Sequence, residues 1–157
     1  MVDRKPPRVL GGERETLTSL LQYQRDSFAR KVAGVSEEDA RRSPVASGTT
    51  LLWLAKHLAR AEHIWLVHRF LGADEPLIDD SVHDDDTLAA AVDALRSTWA
   101  RMDAIIAAHR FDELAQTTGG EPPVDLRWIV MHLLEEVARH AGHADILREL
   151  IDGETGR

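Results

Sequence analysis

The chain has 157 residues and a formal net charge of −8, from 19 Lys+Arg against 27 Asp+Glu. That length suits one domain, and the acidic balance argues against nucleic acid or an anionic membrane as partner, since both are bound through clustered Lys and Arg. A hydrophobic content of 43% argues against disorder, and the lack of cysteine excludes a disulfide framework, a thiolate metal site and a cysteine nucleophile.

No apolar run approaches the roughly 18 residues of a membrane span. The opening MVDRKPPRVLGG lacks the apolar stretch of a signal peptide, so a cytoplasmic location is expected. Eight histidines and the carboxylates are left to carry chemistry.

Residues 1–12 read as a flexible lead-in, broken by Pro6, Pro7, Gly11 and Gly12. A first helix is expected from Glu13 to Val32, because Leu17, Leu20, Leu21, Gln24 and Phe28 form one stripe. Gly34 stops it, and Ser36 followed by Glu37, Glu38 and Asp39 opens a short helix that ends near Pro44. A second long helix is expected over 50–71, ending before Gly72. The acidic stretch 73–86 then forms a loop whose Asp84, Asp85 and Asp86 suit the positive N-terminal end of the next helix. That helix is expected over 87–109, with Leu88, Val92, Leu95, Trp99, Met102 and Ile106 facing the core. After a loop containing Gly119, Gly120, Pro122 and Pro123, Asp125 caps a last helix that runs to Ile151. Strand periodicity is almost absent. The expected architecture is an all-α antiparallel four-helix bundle, with residues 13–153 as one domain and 154–157 as a tail.

The last helix holds the informative pattern. Ile129, Leu133, Glu136, His140, His143, Leu147 and Leu150 recur at steps of four and three, a seam predicted to face the bundle interior. A buried Glu beside His needs a partner, and a cation is an economical one. Glu136 and His140, four residues apart, share a helix face and can grip one ion. On the second long helix His57 shares the stripe of Leu54, Ala61 and Ile64. His68 lies on nearly the same stripe, roughly 16 Å further along the axis. The two cannot share an ion, and spacing does not choose between them. His68, His109 and His132 read as ordinary hydrogen-bonded histidines, and His63 and His83 have no such context. Glu135 and Arg139 read as a surface ion pair, and Trp53, Trp65, Trp99 and Trp128 as core.

The segments LWLAKHLARAE and RWIVMHLLEEVARHAGHADILRELIDG resemble the DinB-like superfamily of four-helix bundles, in particular an actinobacterial branch. The superfamily includes mycothiol- and bacillithiol-dependent S-transferases. The resemblance covers roughly 13–153, and the last-helix motif is its specific part. It implies a divalent metal held by one His of the second long helix and two residues four apart on the last helix. Carried onto this chain, these are His57, Glu136 and His140. His143 stands where many members carry Gln, so it either orients a ligand or takes the place of Glu136. The metal implied is zinc first, with nickel, iron or manganese as alternatives. Two imidazoles and one carboxylate leave open positions at which a thiol can be held as thiolate. Without a cysteine in the chain, that thiol comes from a small molecule such as mycothiol, and the resemblance implies its transfer to a small electrophile. A metal-dependent hydrolase and a non-catalytic metal- or ligand-binding stress protein, with a homodimer left open, are the alternatives.

Overall fold

The computed structural model describes residues 5–155. The expectations for 1–4 and 156–157 lie outside the described residues. Five α-helices appear: α1 Glu13–Val32, α2 Glu37–Arg41, α3 Leu51–His63, α4 Leu88–Ala108 and α5 Leu126–Asp152. Among the described residues there is no strand, only one isolated bridge between Leu114 and Asp125.

The helix ends are set by local chemistry. Thr50, Thr87 and Asp125 each accept from the backbone N–H three residues on, at Trp53, Ala90 and Trp128. Gly153, with φ at 77°, closes α5 in the left-handed conformation that a side chain would resist. The expected role of Asp84–Asp86 at the start of α4 is not found. Glu37 of α2 accepts from Leu88 N–H at 2.8 Å, and Asp86 instead pairs with Lys56 at 2.5 Å.

Side-chain contacts fix the helix directions. α1 and α5 run the same way, because Glu13 meets Arg127 at one end and the Lys31 carbonyl meets Arg148 at the other. α3 packs antiparallel to α5, with His57 against Glu136 and Trp65 against Trp128. α1 is antiparallel to α4, since Arg14 donates to the carbonyls of Ile106 and His109. α3 and α4 start at the same end of the bundle. The segment 72–87 therefore travels back along α3, held by Arg60 on the Ile78 carbonyl and by Lys56 on the Ser81 carbonyl. The acidic loop is thus a strap running beside two basic residues of α3.

Leu21, Phe28, Leu51, Leu54, Leu58, Leu66, Leu95, Met102, Leu126 and Leu133 are all essentially buried between the helices. Each contributes about 1.5–3 kcal/mol by leaving water. Within this core Glu62 receives two hydrogen bonds from Arg25, which also reaches Asp103 at 2.6 Å. Burial pushes the Glu62 carboxyl upward and Arg25 opposes it. Burial works against the charged Arg25, and Glu62 and Asp103 outweigh it.

Two departures from expectation matter for the site. The second long helix extends as expected, but its last part, Ile64–Phe70, is π-helical. The Leu71 N–H there bonds to the Leu66 carbonyl, five residues back. Residue periodicity carries no warning of such a segment, which is common at functional sites. The α5 seam also rotates. Ile129, Leu133, His140 and Leu147 are buried, but His143 is exposed and Leu150 is 53% exposed. A period of 3.5 drifts about 20° per heptad on a straight helix of period 3.6. Val130, Val137 and Ala144, one position on, take the inward places. Glu135 and Arg139 are exposed, and no ion pair joins them among the described residues. Trp99 is buried, Trp53 and Trp65 are partly buried, and Trp128 is 45% exposed rather than core.

Candidate metal centre

α3 and α5 pack so that His57, Glu136 and His140 bring one ligand atom each to within 4.8 Å of the others. The Nε2 of His140 lies 3.0 Å from Glu136 Oε1, and the Nε2 of His57 lies 3.4 Å from the same oxygen. Ligand atoms on one tetrahedral ion, with bonds of about 2.0–2.1 Å, stand roughly 3.3 Å apart. The donor set and its spacing therefore fit a divalent cation. The site is half-open, with side-chain exposures of 25% for His57, 20% for Glu136 and 11% for His140.

Electrostatics favour donors over protons. Burial lowers the His140 pKa, with Glu136 opposing, so the ring tends to be neutral and keeps a lone pair. Burial alone would raise Glu136, but His140 and His57 outweigh it and hold the carboxyl below its ordinary range.

The strap adds a residue that sequence reasoning missed. Asp80 Oδ2 lies 3.2 Å from His57 Nδ1. A carboxylate only accepts, so this contact places the ring proton on Nδ1 and leaves the Nε2 lone pair facing Glu136 and free to bind a cation. Asp80 also faces Arg60 Nε at 3.6 Å, and Trp53 stacks on the His57 ring with 4.5 Å between ring centres. Nothing in the sequence separates Asp80 from its neighbours Asp79 and Ser81, because its role depends on the path of the strap.

The remaining histidines are elsewhere. His143 reaches the group only through His140, its Nδ1 lying 3.3 Å from that of His140. His68 sits in the π-helical segment against His63, and His63 Nε2 is 3.6 Å from Glu75. His83 pairs with Asp79 and His109 with Glu113. His132 is in ring contact with both Trp65 and Trp128, which also touch each other.

Beside His143 a cavity of about 360 Å³ is lined mainly by apolar groups, including Val45, Ile146 and Leu147. A second, of about 330 Å³, lies at Trp65, Arg69 and Trp128, near the start of α5.

Comparison with known proteins agrees with this architecture. The chain is similar to a solved structure described as the conserved protein of locus from Enterococcus faecalis, at 16% identity and a TM-score of 0.64, covering 89% of this chain and 97% of that one. At that identity the likeness shows a shared fold. No curated protein matches the chain. The mycothiol-S-transferase family profile matches residues 16–153, and on that match the chain belongs to the mycothiol-S-transferase family, with a DinB-like helical bundle.

Proposed function

We propose that residues 13–153 form one metal-binding domain that conjugates a low-molecular-weight thiol, of the mycothiol type, to a small electrophile. The observation that carries this reading is the convergence of His57, Glu136 and His140 in a half-open site of a chain with no cysteine. Membership of the family supports the thiol as co-substrate. Two imidazoles and a carboxylate match zinc well, and nickel, iron or manganese are compatible with the same donors.

A divalent ion held here supplies one thing, a lowered pKa for a bound thiol. The protein does the rest. Asp80 holds His57 in the tautomer that presents Nε2. Glu136 contributes a negative charge, so a divalent ion keeps a net positive charge to offset a thiolate. The exposed edges of His57 and Glu136 let the thiol proton leave to solvent. The largely apolar cavity lined by His143, which contacts His140, offers room for an electrophile. Conjugation then forms one S–C bond and breaks one bond of the electrophile: in a substitution the bond to the leaving group, which departs with its electron pair, and in an addition a π bond, whose pair moves onto the electrophile and takes a proton from solvent. The proposed location is cytoplasmic; no described helix is long and apolar enough to cross a membrane.

Elemental analysis of the purified protein, followed by conjugation of a generic electrophile by mycothiol near pH 7 with and without chelator, tests the reading. Expected are one divalent ion per chain and a chelator-sensitive rate that persists below the roughly 8.5 pKa of a free thiol. A rate indifferent to chelation, or none with any low-molecular-weight thiol, overturns it. Chelator-sensitive hydrolysis without thiol would then favour a hydrolase, and tight metal binding without turnover a binder.

A further inference from the structure

We propose that the cleft at Trp65, Arg69 and Trp128 binds the polyhydroxylated part of a thiol carrier, a sugar-type group whose arm reaches along α3 and α5 toward the candidate metal centre. The inference rests on the thiol-transfer reading for the identity of the carrier, and on the cleft itself for the chemistry.

The cleft has a volume of about 330 Å³ and is lined by Trp65, Arg69, Thr117, Thr118, Glu121 and Trp128, among others. Its walls are aromatic. Trp65 and Trp128 lie 5.3 Å apart with their planes inclined at 53°, and His132 stacks under Trp128 at 5.0 Å. Trp128 keeps 45% of its surface exposed, a large amphipathic ring held at the mouth. Its rim is polar and of mixed sign. The Arg69 guanidinium lies 5.3 Å from the Trp65 ring centre, with more donors than its single bond to the Thr118 carbonyl uses. Thr117, Thr118 and Glu121 add hydroxyls and a carboxylate.

Flat aromatic faces under a ring of alternating donors and acceptors suit a ligand with one apolar face and a hydroxylated edge. An anion is disfavoured by Glu121 and the net charge of −8, and a purely apolar ligand would leave the remaining Arg69 donors and the Glu121 carboxylate unused.

The cleft is built rather than incidental. The carbonyls that end the π-helical segment, on His68, Arg69 and Phe70, are taken by Thr117 Oγ1, Thr117 N–H and Gln116 N–H at 3.0–3.1 Å. The loop forming the far wall is thereby tied to the helix that carries Trp65 and Arg69. Gly119, at φ 61°, passes so close to Arg69 that a Cβ would collide with the guanidinium.

Position links the cleft to the metal. Trp128, His132, Glu136 and His140 follow one another at four-residue steps on α5. On the opposing helix His57 and Trp65 are eight residues apart. Eight residues of helix span about 12 Å. A two-ring polyol with a cysteinyl arm, which is the constitution of mycothiol, can rest on the tryptophans and present its sulfur at His57, Glu136 and His140.

The experiment titrates S-methyl mycothiol, whose sulfur has no proton to lose, into metal-free protein and follows intrinsic tryptophan fluorescence. Binding is expected for the wild type, weakened about tenfold or more in Trp128→Ala and unchanged in Met131→Ala, an exposed change outside the cleft. Trp128→Ala is exposed enough to keep the fold, which circular dichroism checks. Glu121→Gln provides a second variant, expected to weaken binding without altering the aromatic walls. Absence of binding to the wild type, or equal affinity in the wild type, Trp128→Ala and Glu121→Gln, overturns the proposal. Because no metal or turnover is involved, loss of transferase activity with this binding intact would sink the transfer reading and leave the cleft assignment standing. Where turnover is found, Trp128→Ala should raise KM for mycothiol and leave KM for N-acetylcysteine, which lacks the sugar, unchanged; an equal rise for both thiols also overturns the proposal.

Discussion

Two clusters of ionisable side chains sit between the helices of this bundle, and they are built on opposite plans. Around Glu62, the buried charges are paired within the protein: Arg25 makes two bonds to Glu62 and one to the more exposed Asp103, with both Arg25 and Glu62 essentially inaccessible. Around Glu136, two imidazoles and one carboxylate turn their atoms toward a shared point and remain half-open to solvent. The first cluster is complete as a protein structure. The second has unused coordinating capacity, and that separates a structural polar group from a candidate centre more sharply than burial or charge alone.

The largest effect should come from breaking the complete cluster. Glu62→Ala leaves Arg25 buried beside a void, and a loss of about 3–5 kcal/mol is expected in urea denaturation. Metal content per folded chain should be unchanged. A stability within 1 kcal/mol of wild type would erase the contrast.

His140→Ala should do the reverse. It removes one of three protein donors, so bound metal should be lost on elemental analysis while the metal-free fold survives. The metal's contribution, about 2.7 kcal/mol at a hundredfold excess over its dissociation constant, disappears from the melting curve. Equal metal in wild type and variant would show the ligand assignment to be wrong.

Asp80→Asn tests whether the strap belongs to the centre. Loss of a carboxylate behind a ligating imidazole is expected to weaken metal binding about 10–100-fold. An unchanged dissociation constant in a competition titration would reduce Asp80 to a loop contact.

Acid should also distinguish the clusters. The His140 pKa is lowered by burial, so below the ordinary value near 6.5 the unfolded chain binds a proton more readily than the folded one. The lowered Glu136 acts in the same direction at lower pH. Metal-free protein should therefore lose stability as pH falls from 7.5 to 5, and His140→Ala should flatten that slope. A melting temperature that rises over this range would contradict the sign.

The smallest effect is expected at His143. Its ring is exposed and reaches the group only through His140, so His143→Gln should retain metal, whereas Glu136→Gln should lose most of it. Metal retained in the second and lost in the first would exchange their roles.

Much of the helical layout was legible because apolar stripes and end residues report it directly. Thr50, Thr87 and Asp125 cap helices close to where composition marks their starts. Four-residue spacing also brings Glu136 and His140 onto one face. Three features were not legible. The rotation that exposes His143 and Leu150 comes from the mismatch between a 3.5-residue pattern and a 3.6-residue helix. The π-helical Ile64–Phe70 depends on its carbonyls being met by residues 116 and 117, nearly fifty positions away. Asp80 owes its place to the direction in which the strap crosses α3, which is a property of topology rather than of local sequence.

The distance along the chain between the two halves of the centre has a consequence for biosynthesis. His57 and Glu136 are 79 residues apart in sequence. At about 5–20 residues per second, roughly 4–16 seconds of translation separate their appearance. During that interval the nascent chain offers His57 without its α5 partners, too few donors for a durable site. Capture of an ion by the proposed centre therefore waits until α5 has docked between α1 and α3, so the ion is chosen by the folded site rather than by the nascent chain.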